Sequence, residues 1–437
     1  MTKLEQPPMI KGKALSKKAA HLLLQPAVAQ KAKEINQKYL YYNKVKYQMF
    51  DEVKDPVLLW AVVKQSRSIN SIKLSFGKYQ FYYNLTSHIQ QLLHEFDMNL
   101  GGRLTSAGIV PEDEKKNYLV SSIMEEAIAS SQIEGAVTTR REAKEMLRKN
   151  RKPRTKSEQM IINNYQTIRY IVEQEQEKLH EGNLLEVHKL IASQTMDDDA
   201  DEGSFRDDDS INVVDVMDGD IMHVPPSVKE LPGLMEELYK FFNDEDEGDF
   251  IHPVIKACII HFLVGFIHPF TDGNGRTARA LFYWYLLKKG YWLVEYISIS
   301  RMIVQSKAQY SKAFLYTEYD EYDLTYFILY KVNTMQKAFE SLKLYIDRKV
   351  KEKHQRSSFM KLGGINDRQA EILHWMQQEP DTLLTVKEIE TRFMIANQSA
   401  RNDLSDLVEK GYLEQVALDK KTKAFVRSKR FEKLIRA

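Results

Sequence analysis

The chain has 437 residues, of which 43% are hydrophobic and 28% are charged, and its formal net charge is +2. This composition is typical of a globular protein of two or three domains, and the balanced charge argues against a dominant polyanionic partner. The single cysteine, Cys258, excludes an intramolecular disulfide framework, and we expect its side chain to be buried in an apolar helix.

Residues 1–115 are predicted to be a mostly helical N-terminal region, as in the apolar spacing of 85–96. The alternating run Ile72–Phe76 fits either a helix or a strand. The first residues lack the apolar core of a signal peptide, and no run is long and apolar enough to span a membrane. We therefore expect a cytoplasmic protein without a membrane partner.

The segment Met124–Gly135 has the pattern of an amphipathic helix that ends at a glycine. Ser130 and Glu134 are four positions apart, so they share one helix face. Gly135 can end the helix in a left-handed conformation. By composition alone, an ordinary helix end explains this pattern.

Two runs rich in β-branched residues flank a central Asp-Gly pair at 211–224 and predict a β-hairpin. Either this hairpin is a surface decoration, or its open strand edge pairs with an extended peptide. The acidic clusters at 196–209 and 244–247 lack the spacing of an EF-hand, so we interpret them as solvated loops rather than cation sites.

Two apolar helices are predicted on either side of a short polar loop. The first covers 253–267 and should end near His268, because a proline disfavours helical backbone in the residue before it. The second covers 276–289 and is closed by lysines and Gly290. Within the first helix, His261 is better explained as a core histidine than as a metal ligand.

The loop between these helices carries groups suited to phosphate chemistry. It runs into a helix N-terminus, where unsatisfied backbone N–H groups and the helix dipole favour an anion. Gly273 and Gly275 allow left-handed backbone and the close approach of a ligand. Arg276 and Arg279 share a helix face, and each can donate two hydrogen bonds to phosphate oxygens.

Two further residues add the means for catalysis. Asp272 offers a hard oxygen ligand of the kind that Mg²⁺ prefers, and His268 can be neutral at pH 7 and accept a proton. A turn between core helices would explain the Asp-Gly-Asn-Gly sequence alone. It would not explain the histidine and the two arginines as well.

The run from His268 to Arg279 resembles the signature of the Fic family, H-x-F-x-[D/E]-G-N-G-R-x-x-R, at every specified position. The resemblance implies transfer of a nucleotide, usually AMP from ATP and Mg²⁺, onto a protein hydroxyl group. It implies that His268 deprotonates the target hydroxyl, that Asp272 holds Mg²⁺ and that Phe270 anchors the loop. The phosphate-binding residues would be Gly273, Asn274, Gly275, Arg276 and Arg279.

The resemblance extends to two upstream segments. Ser130, Glu134 and Gly135 match the inhibitory motif of the family, [S/T]-x-x-x-E-[G/N], which implies that Glu134 pairs with Arg279 and keeps it from the γ-phosphate of ATP. The hairpin would be the flap that binds the target protein, with contacts from Met222 and His223. The G-x-F-R element at 203–206 is also similar to the family.

The resemblance implies an autoinhibited protein adenylyltransferase. It leaves the target protein unknown, and self-modification and a homodimer stay open. Alternative donors would supply UMP, phosphocholine or phosphate, although Gly275 argues against phosphate transfer because family kinases of the Doc type lack that glycine. A DNA-binding regulator is the alternative from another class.

The C-terminal part resembles a winged helix-turn-helix, with 397–410 as the recognition helix between an Asn397 N-cap and a Gly411 C-cap. That helix carries more acidic than basic residues, so contact with protein is favoured over nucleic acid. We thus expect a mainly α chain. Its parts would be a helical N-terminal region (1–115), a Fic catalytic domain (116–335) with an inhibitory helix near 120–135 and a flap near 211–224, a helix or linker (336–365) and a winged helix (366–437).

Overall fold

The computed structural model describes residues 4–10, 12–101, 112–214, 219–245, 248–360, 364–393, 395–417 and 423–435. At 112–118 and 349–360 it describes the backbone only. The chain forms two compact units, residues 1–342 and 343–437. The predicted mainly α fold is confirmed. Within the described residues, no helix is both long enough and apolar enough to span a bilayer.

The first unit is built from helices and two small hairpins. Its helices before the first hairpin are α1 (Lys13–Leu23), α2 (Pro26–Gln37), α3 (Tyr42–Val45) and α4 (Pro56–Ser68). The next elements are β1 (Ile72–Phe76), β2 (Tyr79–Tyr83), α5 (Ser87–Leu100), α6 (Glu112–Ile133), α7 (Arg140–Arg148), α8 (Lys156–Glu173) and α9 (Glu181–Ala192). The remaining ones are β3 (Val213–Val214), β4 (Ile221–His223), α10 (Leu231–Phe242), α11 (Pro253–Ile267), α12 (Asn274–Lys288), α13 (Ile299–Val304) and α14 (Lys307–Tyr319). The long helix α15 (Thr325–Met360) begins in this unit and continues past its last residue, 342.

The ambiguous run at 72–76 is a strand, paired antiparallel with β2. Phe76, Phe81 and Tyr83 are buried while intervening residues face outward, so the alternation reflects a half-buried hairpin rather than a helix. The turn passes through Gly77, whose φ of 55° favours glycine.

The centre of the first unit is the packed pair α11 and α12. Nearly every residue of α11 is buried, including Cys258 and His261, which explains why its sequence is apolar on all sides. The helix ends at Ile267 as expected, and His268 adopts φ 51°. The second helix begins at Asn274, two positions before the predicted start.

The second unit contains α16 (Asp367–Gln378), β5 (Leu384–Thr385), α17 (Val386–Phe393), α18 (Asn397–Glu409), β6 (Leu413–Ala417), β7 (Lys423–Arg427) and α19 (Phe431–Ile435). The strands form one antiparallel sheet in the order β5-β7-β6, which gives the expected winged helix. The tip of the wing at 418–422 lies outside the described residues.

The prediction of Asn397 as an N-cap is wrong by one position. The cap is Ala396, without a side-chain hydrogen bond, and Asn397 is the first helical residue. Its side chain accepts a hydrogen bond from Arg401 at 2.8 Å and donates one to Glu390 at 2.9 Å. Because these two contacts occupy the Asn397 side-chain amide, that amide does not cap the helix.

A buried carboxylate ties α6 to the start of α13. Glu126 accepts hydrogen bonds from the Tyr283 hydroxyl at 2.8 Å, the Ser298 hydroxyl at 2.9 Å and the Ser300 N–H at 3.0 Å, and also from the Ser300 hydroxyl. All of these partners are donors, so the site requires an acceptor on both oxygens of the side chain.

Glu126→Gln should lower the free energy of unfolding by about 1–3 kcal/mol, because an amide places its own donors against buried donors. Urea unfolding of the purified chain measures this change. Glu173→Gln, a change of an exposed residue on α8, should stay within about 0.5 kcal/mol of wild type. Equal midpoints for both variants would mean that the buried network contributes little.

Candidate active site

Arg206 holds the loop between α11 and α12 in place. Its backbone N–H donates to the Pro269 carbonyl and its Nε to the His268 carbonyl, both at 2.9 Å. Its other guanidinium nitrogens donate to the carbonyls of Asp208 and Pro226. The arginine of the G-x-F-R element therefore fixes the backbone of His268 through contacts with three separate segments.

Asn274 closes the same loop from inside. Its side-chain oxygen accepts from the Phe270 N–H at 2.9 Å, and its amide nitrogen donates to the Phe270 carbonyl at 2.8 Å. Phe270 is fully buried and stacks on the ring of His188 at a centroid distance of 3.7 Å. The Asn274 side chain is thus committed to shaping the loop, which leaves backbone groups to face a ligand.

His188, on α9, is a site residue that the sequence did not reveal. Its Nδ1 accepts a hydrogen bond from the Gly203 N–H at 3.1 Å, so its proton lies on Nε2, which donates to the Asp272 carbonyl at 2.9 Å. Burial lowers its pKa to about 4, so the ring is neutral. No motif or spacing marks this histidine, because its partners come from distant segments.

The geometry of His268 suits a general base. Its Nδ1 lies 3.2 Å from the Gly265 carbonyl, which can only accept, so the proton of the neutral ring sits on Nδ1 and Nε2 carries a lone pair. Burial lowers the pKa of His268 to about 4, and the Gly265 carbonyl opposes this shift only in part. The ring is therefore neutral at pH 7, and its Nε2 is free to accept a proton.

Arg276 and Arg279 are both buried, and each retains a nitrogen without a hydrogen-bond partner in the described part of the chain. Arg276 donates to the Ile191 carbonyl at 3.0 Å and to the Asp272 carboxylate at 3.2 Å, which leaves its Nε unpaired. On Arg279 the unpaired atom is Nη1. Buried unpaired donors are costly, so these two nitrogens favour an anionic ligand.

The C-terminal end of α6 reaches Arg279 directly. Arg279 donates from Nε to the Ser130 hydroxyl at 2.8 Å and from Nη2 to the Ser130 carbonyl at 3.0 Å. The same Nη2 lies 2.8 Å from Oε1 of Glu134, whose side chain is 31% exposed. Gly135 follows with φ 94°, a conformation that turns the chain away after α6. The structure thus brings all four residues together.

Glu134 also covers the N-terminus of α12. A Cβ atom placed on Gly275 would overlap Oε1 of Glu134, and it would lie 3.3 Å from Nη1 of Arg279. The carboxylate therefore lies against the backbone where the helix dipole and a neighbouring guanidinium both attract an anion. Glu134 thus places an anionic group against the N-terminus of α12.

Lys307, the first residue of α14, holds the end of α6 from another direction. Its ammonium group donates to the carbonyls of Gln132 at 2.5 Å and Ile133 at 3.4 Å. A cation is favourable at a helix C-terminus because it interacts with the unsatisfied carbonyls and the negative end of the dipole. No motif or spacing in the sequence indicates this contact.

The hairpin predicted at 211–224 forms from β3 and β4, and residues 215–218 lie outside the described residues. Val214 and Ile221 are exposed at the hairpin, and Met222 is half-buried. The side chain of His223, in contrast, points inward and is only 8% exposed. A side chain in this position anchors the hairpin and is not available to contact another protein.

Both ring nitrogens of His223 face acceptors. Nδ1 lies 2.8 Å from the Glu318 carboxylate and Nε2 lies 2.7 Å from the Phe266 carbonyl, so the arrangement requires the doubly protonated ring. Burial lowers the pKa of His223, but the hydrogen bond and charge of Glu318 outweigh burial and raise it overall. Because the folded pKa is the higher one, this anchor is complete below about pH 6.5 and is lost as pH rises through the raised value.

We expect NMR titration of the His223 ring to give a midpoint above about 6.5. Glu318→Gln should move that midpoint down, because burial would then act without an opposing carboxylate. A midpoint that Glu318→Gln leaves unchanged would contradict the ion pair.

Asp272 is suited to a metal site in which the substrate and water supply the other ligands, rather than to one built from protein ligands alone. Its side chain is 60% exposed, and one oxygen accepts from the Gly273 N–H at 2.6 Å. Across the described residues, no group of three or more His, Cys, Asp or Glu residues could hold a metal ion. Mg²⁺ at Asp272 would therefore need phosphate oxygens and water, which fits its preference for few protein ligands.

Comparisons with known proteins agree with the fold and the loop. Residues 178–286 match the model of the Fic/DOC family, and residues 363–421 match that of the MarR family. The chain therefore carries a Fic domain followed by a MarR-family winged-helix domain.

Sixty-nine residues are 41% identical to Protein adenylyltransferase Fic of Drosophila melanogaster, and 42% identical to the protein of that name in Drosophila grimshawi. Each alignment spans 16% of this chain and 14% of the relative. The crystal structure of a Fic family protein from Desulfovibrio desulfuricans G20 shares the fold. It has a TM-score of 0.53 and 20% identity, with coverage of 80% of this chain and 99% of that one.

Proposed function

We propose that the protein is an autoinhibited protein adenylyltransferase that moves AMP from ATP to a hydroxyl side chain of a target protein or of itself. The observation that carries this proposal is the loop from His268 to Arg279. It combines a neutral, half-buried histidine, a helix N-terminus without a side-chain cap and two arginines with unpaired buried nitrogens. Together these groups can bind a polyphosphate and accept a proton beside it.

In the proposed reaction, Nε2 of His268 takes the proton of the target hydroxyl while its oxygen attacks the α-phosphorus of ATP. A bond forms between that oxygen and the α-phosphorus, and the bond from the α-phosphorus to the bridging oxygen breaks, so pyrophosphate leaves. Arg276 and Arg279 stabilise the negative charge of the phosphates from fixed positions. Asp272 would hold Mg²⁺ with phosphate oxygens, and the ion would neutralise further charge there.

The proposed inhibition follows from competition for one guanidinium. Arg279 cannot direct the same nitrogen at both the Glu134 carboxylate and a γ-phosphate. The glutamate also lies over Gly275, so ATP would have to displace it or bind in a different position. In the inhibited state, nucleotide could bind without presenting its α-phosphorus to His268.

The hairpin of β3 and β4 is the proposed target-binding flap. It is a short two-stranded sheet, so each strand retains an edge that can pair with an extended segment. Exposed Val214 and Ile221 supply apolar surface beside that edge. The half-buried Met222 would make a secondary contact.

Intact-mass spectrometry tests the nature of the transferred group. The Glu134→Gly protein would be incubated with Mg²⁺ and, in separate reactions, with ATP, UTP or CDP-choline. We expect a covalent adduct with the mass of AMP less water in the ATP reaction and none in the others. An adduct with the mass of phosphate, UMP or phosphocholine would replace the proposal with the corresponding transferase.

A further inference from the structure

The segment 140–156 is strongly basic. It holds nine lysines and arginines and two glutamates in 17 positions, whereas the formal net charge of the whole chain is only +2. The balanced overall charge therefore conceals one concentrated positive region. We call it the 140–156 surface; it consists of α7 and the chain that leads into α8.

The fold presents these charges to solvent. Ala143 and Met146 are buried and fix one side of α7 against the core, so its basic residues lie on the other side. Four exposed cations have no ion pair with another described residue: Arg141, Arg148, Lys152 and Arg154. Unpaired surface cations close together repel each other and favour a polyanion.

The same surface is bonded to the inhibitory helix. The Arg140 guanidinium contacts both oxygens of Glu125 at 2.7 and 2.8 Å, and Lys144 contacts the same carboxylate. Glu125 lies on α6, nine positions before Glu134, and its side chain is only 12% exposed. A polyanion on α7 would compete with Glu125 for both cations.

We propose that the 140–156 surface binds the phosphate backbone of a nucleic acid, and that binding loosens α6 and with it the pair between Glu134 and Arg279. The second half of this proposal rests on the proposed function, whereas the first half does not. A nucleic acid is thus the chemical class of ligand that would relieve the inhibition.

The shape and composition of the surface favour nucleic acid over a membrane or an acidic protein. Helices that lie on membranes insert an apolar face, but the apolar residues of α7 point into the protein. The cations form a track along nine helical residues, which is about 13 Å, and continue to Lys156. A track of arginine-rich charge matches a repeating phosphate backbone, on which each guanidinium can bind phosphate oxygens in pairs.

The binding test uses the full chain and a fluorescent 20-base-pair duplex of mixed sequence, with anisotropy measured across salt concentrations. The test variant replaces Arg141, Arg148, Lys152 and Arg154 with glutamine. We expect its affinity to fall at least tenfold at low salt, and its salt slope to become shallower by about 3–4 because fewer counterions are released.

Two control variants show which part of the chain binds the duplex. The first replaces four exposed lysines elsewhere in the first unit, Lys17, Lys18, Lys33 and Lys38, with glutamine, and should bind like wild type. The second replaces Arg401, Lys429 and Arg430 of the winged helix. Binding lost in the winged-helix variant and kept in the test variant would overturn the proposal, as would preference for polyglutamate or for phosphatidylserine vesicles over duplex.

The proposed effect of nucleic acid on the inhibition is tested by measuring AMP incorporation by the wild-type chain with and without duplex. We expect stimulation of at least fivefold, absent in the test variant. If the Glu134→Gly protein incorporates no AMP, the proposed function fails while duplex binding still stands. If that protein incorporates AMP but duplex leaves the wild type unchanged, the link between the 140–156 surface and inhibition is refuted.

Discussion

Replacing Glu134 with glycine should raise the rate of AMP incorporation by about 10- to 100-fold over wild type. The glutamate makes one charge-assisted hydrogen bond to Arg279, and such bonds contribute about 1.5–3 kcal/mol. If that bond stabilises the inhibited arrangement, its loss increases the fraction of molecules whose Arg279 is free for phosphate by the corresponding factor. Incorporation of labelled AMP into the protein measures the change.

Two further variants separate charge from size. Glu134→Gln keeps the shape and a carbonyl acceptor but removes the charge, so its rate should fall between wild type and Glu134→Gly. Glu173→Gln, an exposed change on α8 with the same loss of charge, should match wild type. If Glu134→Gly incorporates AMP no faster than wild type, Glu134 has no inhibitory role.

Local sequence was sufficient to predict the loop. Pro269 ends α11 and the glycines open α12, so the segment that carries His268 and the arginines is defined within a dozen neighbouring residues. The resemblance to a family signature added the expected partner of Arg279. That partner lies 145 positions earlier in the chain, a contact that neither periodicity nor spacing can provide.

The supporting residues could not be predicted for the same reason. Arg206 and His188 bind backbone carbonyls of the loop, and any residue supplies a carbonyl. Glu126 is surrounded by donors that come from α12 and the start of α13. His223 lies in a short strand, where the pattern does not reveal which face packs inward. Each role depends on tertiary neighbours rather than on local sequence.

His268→Ala, made in the Glu134→Gly background, should reduce AMP incorporation by about 10²- to 10⁴-fold, the usual contribution of a general base. ATP affinity, measured by calorimetry, should stay close to that of Glu134→Gly, because Arg276, Arg279 and the helix N-terminus are unchanged. His88→Ala, which removes an exposed histidine on α5, is the matched control and should keep full activity. Loss of ATP binding together with activity would instead indicate a binding role for His268.

The pH dependence gives a second, independent test of the same residue. A base works only when unprotonated, so activity is retained above its pKa and lost as pH falls through it. Burial lowers the pKa of His268 to about 4, whereas an exposed histidine titrates near 6.5. The kcat/KM of Glu134→Gly should therefore show no acid inflection from pH 8 to about 5.5. An inflection near 6.5 would mean that opening the site to solvent restores an ordinary histidine, and that the base is buried only while Glu134 is in place.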